Sequence, residues 1–256
     1  MPAVETQSIM RAVAILDCFS LDHPELGVRE IARQLHLSTS TVGRLLITLR
    51  SAGILSQDPT TRRYVMGPKI LQWSSIYLSR LDLANEAAPA LAELHRLTSE
   101  TVSVYMLDGG ERVCIARIES PERVRVVVRV GERMPLHAGS AGKVLLAFMP
   151  SEAVAQILGK PLERMTPNTI INRKTLTQEL ETVRKCGYAI SHGERFQDAL
   201  GLAAPIFNAD GKVIAALNVA GPVMRFDDAA VAKYAPKIIR LANQVSQALG
   251  YVSSPE

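Results

Sequence analysis

The 256-residue sequence lacks the features of several large protein classes. Its three cysteines, Cys18, Cys114 and Cys186, form no CxxC pair, which argues against a disulfide framework and against a structural zinc site. No apolar run reaches the roughly 18 residues that span a bilayer, and residues 1–20 contain no hydrophobic signal-peptide segment. With 47% hydrophobic and 21% charged residues, the composition predicts a soluble, cytoplasmic protein with no cofactor and no membrane partner.

The net positive charge of the chain is small, and it is concentrated in one segment. The whole chain carries a formal net charge of +4. Between Gly27 and Met66 alone there are six arginines and only two carboxylates, again a net charge of +4. A local basic patch of this kind indicates an acidic partner more directly than the overall charge does.

The N-terminal part of the sequence alternates helical patterns with short turns. Apolar spacing predicts helices over 7–20, 28–35 and 39–53, and the last two are separated by the three-residue turn HLS. Ser38 is a suitable N-cap for the third helix, and Gly53 suits the position after its end. ILSQ and RRYVMG, joined by the turn DPTT, then predict a β-hairpin. This order is the layout of a winged helix-turn-helix.

The second helix of such a motif must enter a DNA major groove about 12 Å wide, so its start must be compact. Here that start carries short hydroxyl side chains, and Arg44 lies one turn further on, away from the apolar face. We expect Arg44 to reach a guanine edge or a phosphate, and one of two arginines on the second hairpin strand to face the DNA backbone or minor groove. Singly, each residue is equally typical of a helix cap or a solvated face. The candidate DNA-binding residues are Arg29, Ser38, Thr39, Ser40, Thr41, Arg44, Arg62 and Arg63.

The pattern changes after a helix predicted over 68–81, which we interpret as a linker. One helix, or two split at Pro89, comes next. TVSVYML, RVCIARI and RVRVVVRV then alternate or are β-branched and predict antiparallel strands. Helices are predicted over 141–149, 174–185 and 227–249. Strands are predicted at YAIS, GLAAPIFN and VIAALNVAG.

Residues 137–146, HAGSAGKVLL, admit three interpretations. A hydrolase nucleophile elbow needs Gly-x-Ser-x-Gly, but Ala138 stands two residues before Ser140. A phosphate-binding loop needs a glycine five residues before Gly142 and a hydroxyl residue after Lys143, and the sequence has neither. The third interpretation is a helix start whose backbone amides hold a small anion, for which a carboxylate is suited. A plain strand-to-helix turn is its alternative.

Three stretches together resemble the IclR family of bacterial transcriptional regulators: SIMRAVAILDCFS with the helix-turn-helix region to VMG, PLHAGSAGKVLLAF, and GLAAPIFNADGKVIAALNVAGP. The resemblance covers nearly the whole chain. It implies an α+β fold with an N-terminal winged helix-turn-helix (1–67), a linker helix (68–82) and a GAF-like α/β effector domain with an antiparallel sheet (83–256). It also implies homodimers or homotetramers on palindromic operators in double-stranded DNA.

The resemblance further implies an effector site at the HAGSAGKVLL loop. Family members that sense small oxo-acids are similar in placing an Asp, a Cys and two Ser on the facing strands, where this chain has Ser191, Gly201, Asn218 and Ala220. This departure implies a roomier, less polar pocket, and so an organic acid larger than glyoxylate or pyruvate, held by the 139–142 amides. The candidate effector-binding residues are Met106, Met134, Leu136, Gly139, Ser140, Ala141, Gly142, Ser191, Gly201, Asn218 and Ala220.

These observations predict a ligand-responsive repressor or activator of a catabolic pathway that is not an enzyme. The alternative is a small-molecule-binding or hydrolytic enzyme domain with an incidental helix-turn-helix-like start. No catalytic set is predicted, because the only histidine downstream of Ser140 is His192, with no Asp between them. No metal site is predicted either, because His137 and His192 have no suitably spaced partner.

Overall fold

A computed structural model describes residues 6–20, 22–79 and 82–252. Its contacts divide the chain into two compact units, Met1–Arg80 and Leu81–Glu256. The predicted linker helix begins at Lys69 and is observed to Ser79. Residues 80 and 81, which the predicted linker also includes, lie outside the described residues.

The first unit is a small helical bundle with a three-stranded sheet. Its elements are α1 (Gln7–Asp17), β1 (Glu25–Leu26), α2 (Val28–Gln34), α3 (Thr39–Ser51), β2 (Leu55–Gln57), β3 (Tyr64–Met66) and α4 (Lys69–Ser79). The strands lie in the order β1-β3-β2, and both pairs are antiparallel. β1 was not predicted, because a two-residue strand is defined only by its pairing with β3, about forty residues later in the chain.

The core of the first unit explains why α2 and α3 pack together. Ile15 of α1, Ile31 of α2 and Val42 and Leu46 of α3 are fully buried. On α3 the buried positions recur every three or four residues, so one stripe faces the core and the opposite side faces water. This packing fixes α3 on the unit and leaves its N-terminal end exposed.

The second unit combines a six-stranded antiparallel sheet with helices on both faces. Its elements are α5 (Asp82–Thr98), β4 (Thr101–Asp108), β5 (Glu111–Ile118), β6 (Arg133–Pro135), α6 (Ser140–Phe148), α7 (Ser151–Leu158), α8 (Arg173–Cys186), β7 (Ala189–His192), β8 (Ala199–Phe207), β9 (Val213–Pro222) and α9 (Asp228–Ala248). The strand order is β6-β5-β4-β9-β8-β7.

Alternation along the strands assigns each side chain to one of the two faces. On β4, Val102 and Val104 join the core that α5 and α9 cover. Tyr105, on the other face, joins the core under α6 and α8. Because β9 pairs directly with β4, its residues follow the same rule: Ala216 shares a face with Tyr105, and Leu217 shares a face with Val104.

Three features of the second unit differ from the sequence predictions. The segment 123–130 was predicted as a strand, but it joins no ladder, since β6 pairs with the nearby part of β5. The segment is held instead by burial of Val126 and Val128 and by a hydrogen bond of 2.7 Å from Thr101 Oγ1 to the Val126 carbonyl. Helix α7 was not predicted. Strand β6 was not predicted either. Pro89 lies inside α5, which agrees with the single-helix alternative of the prediction.

Candidate functional sites

The exposed end of α3 is capped by its own hydroxyl groups. Ser38 Oγ accepts a hydrogen bond of 3.2 Å from the Thr41 N–H, as the sequence predicts for an N-cap. The same oxygen is 3.0 Å from Ser40 Oγ and 2.9 Å from Thr41 Oγ1. Thr39 and Ser40 are exposed, and Thr41 is half-buried. The cap orders the hydroxyl groups and leaves Thr39 at the outer edge of the helix start.

Three of the predicted DNA-binding arginines are exposed. Arg44 lies on the side of α3 opposite its buried stripe, Arg29 lies on α2, and Arg62 lies in the turn before β3. None of their guanidinium groups makes an ion pair or hydrogen bond with another described residue. These side chains therefore leave their charge available to an anionic partner.

The fourth predicted arginine, Arg63, makes contacts within the first unit. Arg63 Nη2 is 2.7 Å from Glu30 Oε2, and it also donates to the Glu25 carbonyl at 3.1 Å. Glu30 in turn accepts the Gly27 N–H at the start of α2, and these two contacts lower the pKa of its carboxyl group. The prediction that both hairpin arginines lie on the second strand was wrong, because each precedes β3, which begins at Tyr64.

A cleft lies on the α6 side of the sheet in the second unit. It encloses about 50 Å³ of free space and brings together residues from β4, β5, β7, β8, β9 and the start of α6. Its lining is Tyr105, Arg112, Val126, Val128, Gly139, Ser140, Ala141, Ser191, Arg195, Phe196, Ala199, Leu200, Gly201, Asn218 and Ala220. Seven of the eleven predicted effector-binding residues are in this set.

The other four predicted effector residues do not line the cleft. Met106 packs on the opposite face of the sheet, because it follows Tyr105 by one residue and alternation turns it away. Met134 and Leu136 are buried in the core beneath the loop. Gly142 has no room for a side chain, since a Cβ there would lie 2.4 Å from the Leu136 carbonyl oxygen.

The loop before α6 already holds a carboxylate. Gly139, at φ +86°, donates its N–H to Glu194 Oε2 at 2.9 Å. The other oxygen of Glu194 is 2.6 Å from Lys143 Nζ, which also lies 2.8 Å from Glu179. The expectation that the Gly139 amide receives an effector carboxylate was therefore wrong, because an internal carboxylate occupies it.

A chain of hydrogen bonds links the loop to the sheet. Ser140 Oγ donates to Asn218 Oδ1 at 2.8 Å, and Asn218 Nδ2 donates to Ser103 Oγ at 3.3 Å. A Cβ at Gly201 would lie 2.6 Å from Ser140 Oγ. The space that glycine leaves at this position is therefore filled by the Ser140 hydroxyl, which corrects the inference that Gly201 enlarges the cleft.

Two arginines in the cleft were missed by the sequence prediction. Arg112, on β5, is 2% exposed, and its guanidinium carbon lies 5.4 Å from the centre of the Tyr105 ring. Burial lowers the pKa of Arg112 to about 10. Arg195 lies over the Phe196 ring and pairs with Glu132 at 2.5 Å. The alternation of RVCIARI places Arg112 on the face of Cys114, and only the register with β6 reveals that this face lies under the loop.

No group of three or more metal-binding side chains occurs among the described residues, and no helix among them is long and apolar enough to cross a membrane.

The first unit is a helix-turn-helix with a β-wing, which is a DNA-binding architecture. Residues 8–59 match the IclR helix-turn-helix domain, and residues 75–247 match the C-terminal domain of the bacterial transcriptional regulator IclR. The chain belongs to the IclR family of bacterial transcriptional regulators, as the resemblance implied.

Relatives match the chain along nearly its whole length. It is 35% identical to the HTH-type transcriptional regulator XynR of Escherichia coli (strain K12), over 96% of this chain and 98% of that protein. It is 32% identical to the regulator KdgR of the same strain, over 97% and 94%. Among solved structures, an IclR homolog from Microbacterium hydrocarbonoxydans complexed with 4-hydroxybenzoate is 27% identical, with a TM-score of 0.86 over 95% of this chain and 99% of that one.

Proposed function

We propose that this regulator binds operator DNA through the exposed end of α3 and changes its DNA affinity when an organic acid occupies the cleft. The observation that carries the proposal is the exposed arginine on α3, Arg44, which stands beside an ordered hydroxyl cap and has no partner of its own among the described residues. Such a regulator acts in the cytoplasm, where bacterial DNA lies.

The DNA-binding residues divide by the contacts they are free to make. Thr39 and Arg44 lie at the end of α3 that enters a major groove, where a bidentate arginine contact to guanine specifies a base. Arg29 and Arg62 lie outside that helix and suit phosphate contacts, which position the protein without reading sequence. Arg63 is not proposed as a DNA contact, because Glu30 holds it.

A palindromic operator and a symmetric oligomer follow from the weakness of one module. A single helix-turn-helix binds DNA non-specifically with a dissociation constant of only about 10⁻⁴ to 10⁻⁶ M. Two copies place two α3 helices about 34 Å apart along the DNA, so that the half-sites act together. We therefore propose that the chain binds as a homodimer or as a pair of dimers.

The cleft suits an organic acid, because its lining combines cationic, polar and apolar side chains. The Microbacterium homolog complexed with 4-hydroxybenzoate supports an acid of that size. The effector shifts DNA binding only if it binds two conformations of the regulator with different affinities. Gly139 is no longer proposed, because Glu194 accepts its N–H. The other lining residues of the predicted set remain the proposed contacts: Ser140, Ala141, Ser191, Gly201, Asn218 and Ala220.

An enzymatic role has less support at the same loop. Ser140 Oγ donates to the Asn218 amide, which is no general base. His192, the only histidine downstream, pairs instead with Asp228 at 2.7 Å. We propose that the cleft binds its ligand without transforming it.

A gel-shift titration with the DNA upstream of the chain's own coding region tests this function. We expect retarded bands whose affinity falls steeply with salt, because phosphate contacts release counterions. Arg44→Ala should lose about 1–3 kcal/mol of discrimination against scrambled DNA, whereas Arg62→Ala should weaken binding to all DNA and reduce the salt slope by about 1.

Arg63→Ala is the matched control, since it removes the same charge from the neighbouring position. We expect it to weaken DNA binding less than Arg62→Ala does. If all three variants behave alike, the division of roles is wrong. If the upstream DNA is never retarded, the proposed function fails.

A further inference from the structure

Arg112 uses only one edge of its guanidinium group. Its Nη1 donates to the carbonyl oxygens of Pro135 and Ala138, the latter at 2.7 Å, and so ties β5 to the loop. The other edge, formed by Nε and Nη2, is the edge that carboxylates commonly bind with two parallel hydrogen bonds. Among the described residues, the only hydrogen-bond acceptor at this edge is Met134 Sδ, 3.7 Å from Nη2, and the buried Nε has no acceptor.

The contrast with Lys143 shows what Arg112 lacks. Both cations are almost completely buried, but Lys143 has two carboxylates within 2.8 Å, whereas Arg112 makes no ion pair within the described ranges. A buried charge without a counter-charge is costly, so proteins normally pair such groups. Arg112 is therefore a buried cation with no direct ion-pair partner among the described residues, although the Glu194 and Glu132 carboxylates act on it from a longer distance.

The surroundings of Arg112 favour an anionic group of one particular kind. The main-chain N–H groups of Ser140 and Ala141, in the first turn of α6, donate to no acceptor among the described residues. The second lining cation, Arg195, is already paired with Glu132. One anionic group therefore suffices for the cleft, and a second one would meet no unpaired cation.

The rest of the lining is apolar and partly aromatic. Tyr105 and Phe196 present rings, and Val126, Val128 and Leu200 present branched aliphatic side chains. A flat apolar body buries its surface against these groups, which stabilises the complex by about 25 cal/mol for each Å² removed from water.

We propose that Arg112 is the charge-selecting residue of the cleft, and that the cleft takes an aryl monocarboxylate whose carboxylate meets the Nε/Nη2 edge of Arg112. This inference rests on the proposed function only in assigning the cleft to the effector. At pH 7 the guanidinium remains protonated, since burial lowers its pKa only to about 10. Arg112 thus selects the ionised acid over a neutral analogue of the same shape.

Isothermal titration of the full-length protein with matched acids and amides tests the proposal. The probes are benzoate, 4-hydroxybenzoate and phenylacetate, each beside its primary amide, with terephthalate as a dicarboxylate. For at least one pair we expect the acid to bind about tenfold to a hundredfold more tightly than the amide, the range typical of a hydrogen-bonded charged group. Terephthalate should bind more weakly than benzoate.

Three variants separate charge recognition from support of the loop. Arg112→Met should bring the acid-to-amide ratio close to one, and Arg112→Lys should retain part of it. Arg133→Met, which removes an exposed cation outside the cleft, should leave the ratio unchanged. If Arg112 only holds the loop, Arg112→Met weakens acid and amide by the same factor, and the proposal is overturned.

The wild-type protein alone also decides the matter if Arg112→Met does not fold. Equal affinity for acid and amide, or binding of none of the three acids, overturns the proposal. Failure of the proposed function has a different signature, in which an acid binds through Arg112 but leaves the gel shift unchanged. Conversely, DNA binding that responds to a neutral ligand would sustain the regulator and refute the role of Arg112.

Discussion

The two units of the chain treat charge in opposite ways. In the first unit, Arg29, Arg44 and Arg62 face water, and the Arg63–Glu30 pair is half-exposed. In the second, Lys143 is 1% exposed and Arg112 is 2% exposed, and both lie beneath the loop that begins α6. The exposed arginines of the first unit are accessible to a large anionic partner, whereas the two cations of the second unit are buried within the protein.

This difference determines how strongly each charge is coupled to the fold. Exposed charges interact through water and salt, so their loss changes binding more than stability. Buried charges were desolvated when the chain folded, so each depends on its partner. Mutations that remove equivalent groups from the two units should therefore have very different consequences.

The largest expected effect is the loss of the buried cation at position 143. Lys143→Met leaves the Glu194 carboxylate buried, with the Gly139 N–H as the one remaining hydrogen-bond donor to this side chain among the described residues. Breaking a buried pair in this way should lower the free energy of unfolding by about 3–5 kcal/mol. Urea unfolding followed by peptide-resolved hydrogen exchange measures the loss and assigns it to the second unit.

Arg63→Met is the matched change in the first unit, because it removes a cation from a half-exposed pair with Glu30. We expect a much smaller loss of stability, one that shrinks further in 1 M salt as the pair is screened. If both variants lose the same amount of stability, burial does not determine how strongly each ion pair stabilises its unit.

A pair of helical glycines extends the comparison to packing. A Cβ at Gly142, on α6, would lie 2.4 Å from the Leu136 carbonyl oxygen, whereas a Cβ at Gly43, on α3, would meet nothing within 4 Å. Gly142→Ala should therefore cost about 1–3 kcal/mol of stability through overpacking. Gly43→Ala should instead gain about 0.5–1 kcal/mol, since alanine is the better helix former.

Thermal and urea unfolding of the two alanine variants check both signs. If Gly43→Ala lowers the stability, the space around the Gly43 position of α3 is not free to accept a methyl group. A neutral Gly142→Ala would mean that the loop moves away from α6 at little cost, and that Arg112 is less firmly held than its contacts indicate.

The contrast also explains what could be predicted from the sequence. The helix-turn-helix is local: the N-cap at Ser38, the buried stripe of α3 and the exposure of Arg44 all follow from helical periodicity over a dozen residues. What periodicity could not reveal was Arg63, because its partner Glu30 lies thirty-three residues away on another element.

The cleft depends on contacts that are distant in sequence. Ser140 meets Asn218 across seventy-eight residues, and Lys143 meets Glu194 across fifty-one. The loop and the facing strand positions were found from family resemblance, but the resemblance carried no information on Glu194. Met106 was wrongly predicted to line the cleft. Successive side chains of a strand point to opposite faces of the sheet, so an error of one residue assigns a side chain to the wrong core.

The smallest expected effect concerns the acid sensitivity of the first unit. The pKa of Glu30 is lowered by the Gly27 N–H and by Arg63, so its contribution to stability is complete above its ordinary value of 4.5. That contribution is lost as the pH falls through the lowered pKa of the folded state, because the Glu30 carboxyl group is then protonated in the folded chain as well as in the unfolded chain. Glu30→Gln should therefore have a lower melting temperature than the wild type at pH 7, and the difference between the two melting temperatures should disappear toward pH 3.

Glu25→Gln supplies the control, since the Glu25 side chain makes no hydrogen bond or ion pair with the rest of the described chain. Its melting temperature should equal that of the wild type across the same pH range. If the melting temperature of Glu30→Gln is still as far below that of the wild type at pH 3 as at pH 7, the loss is steric, and the charge of Glu30 does not stabilise the first unit.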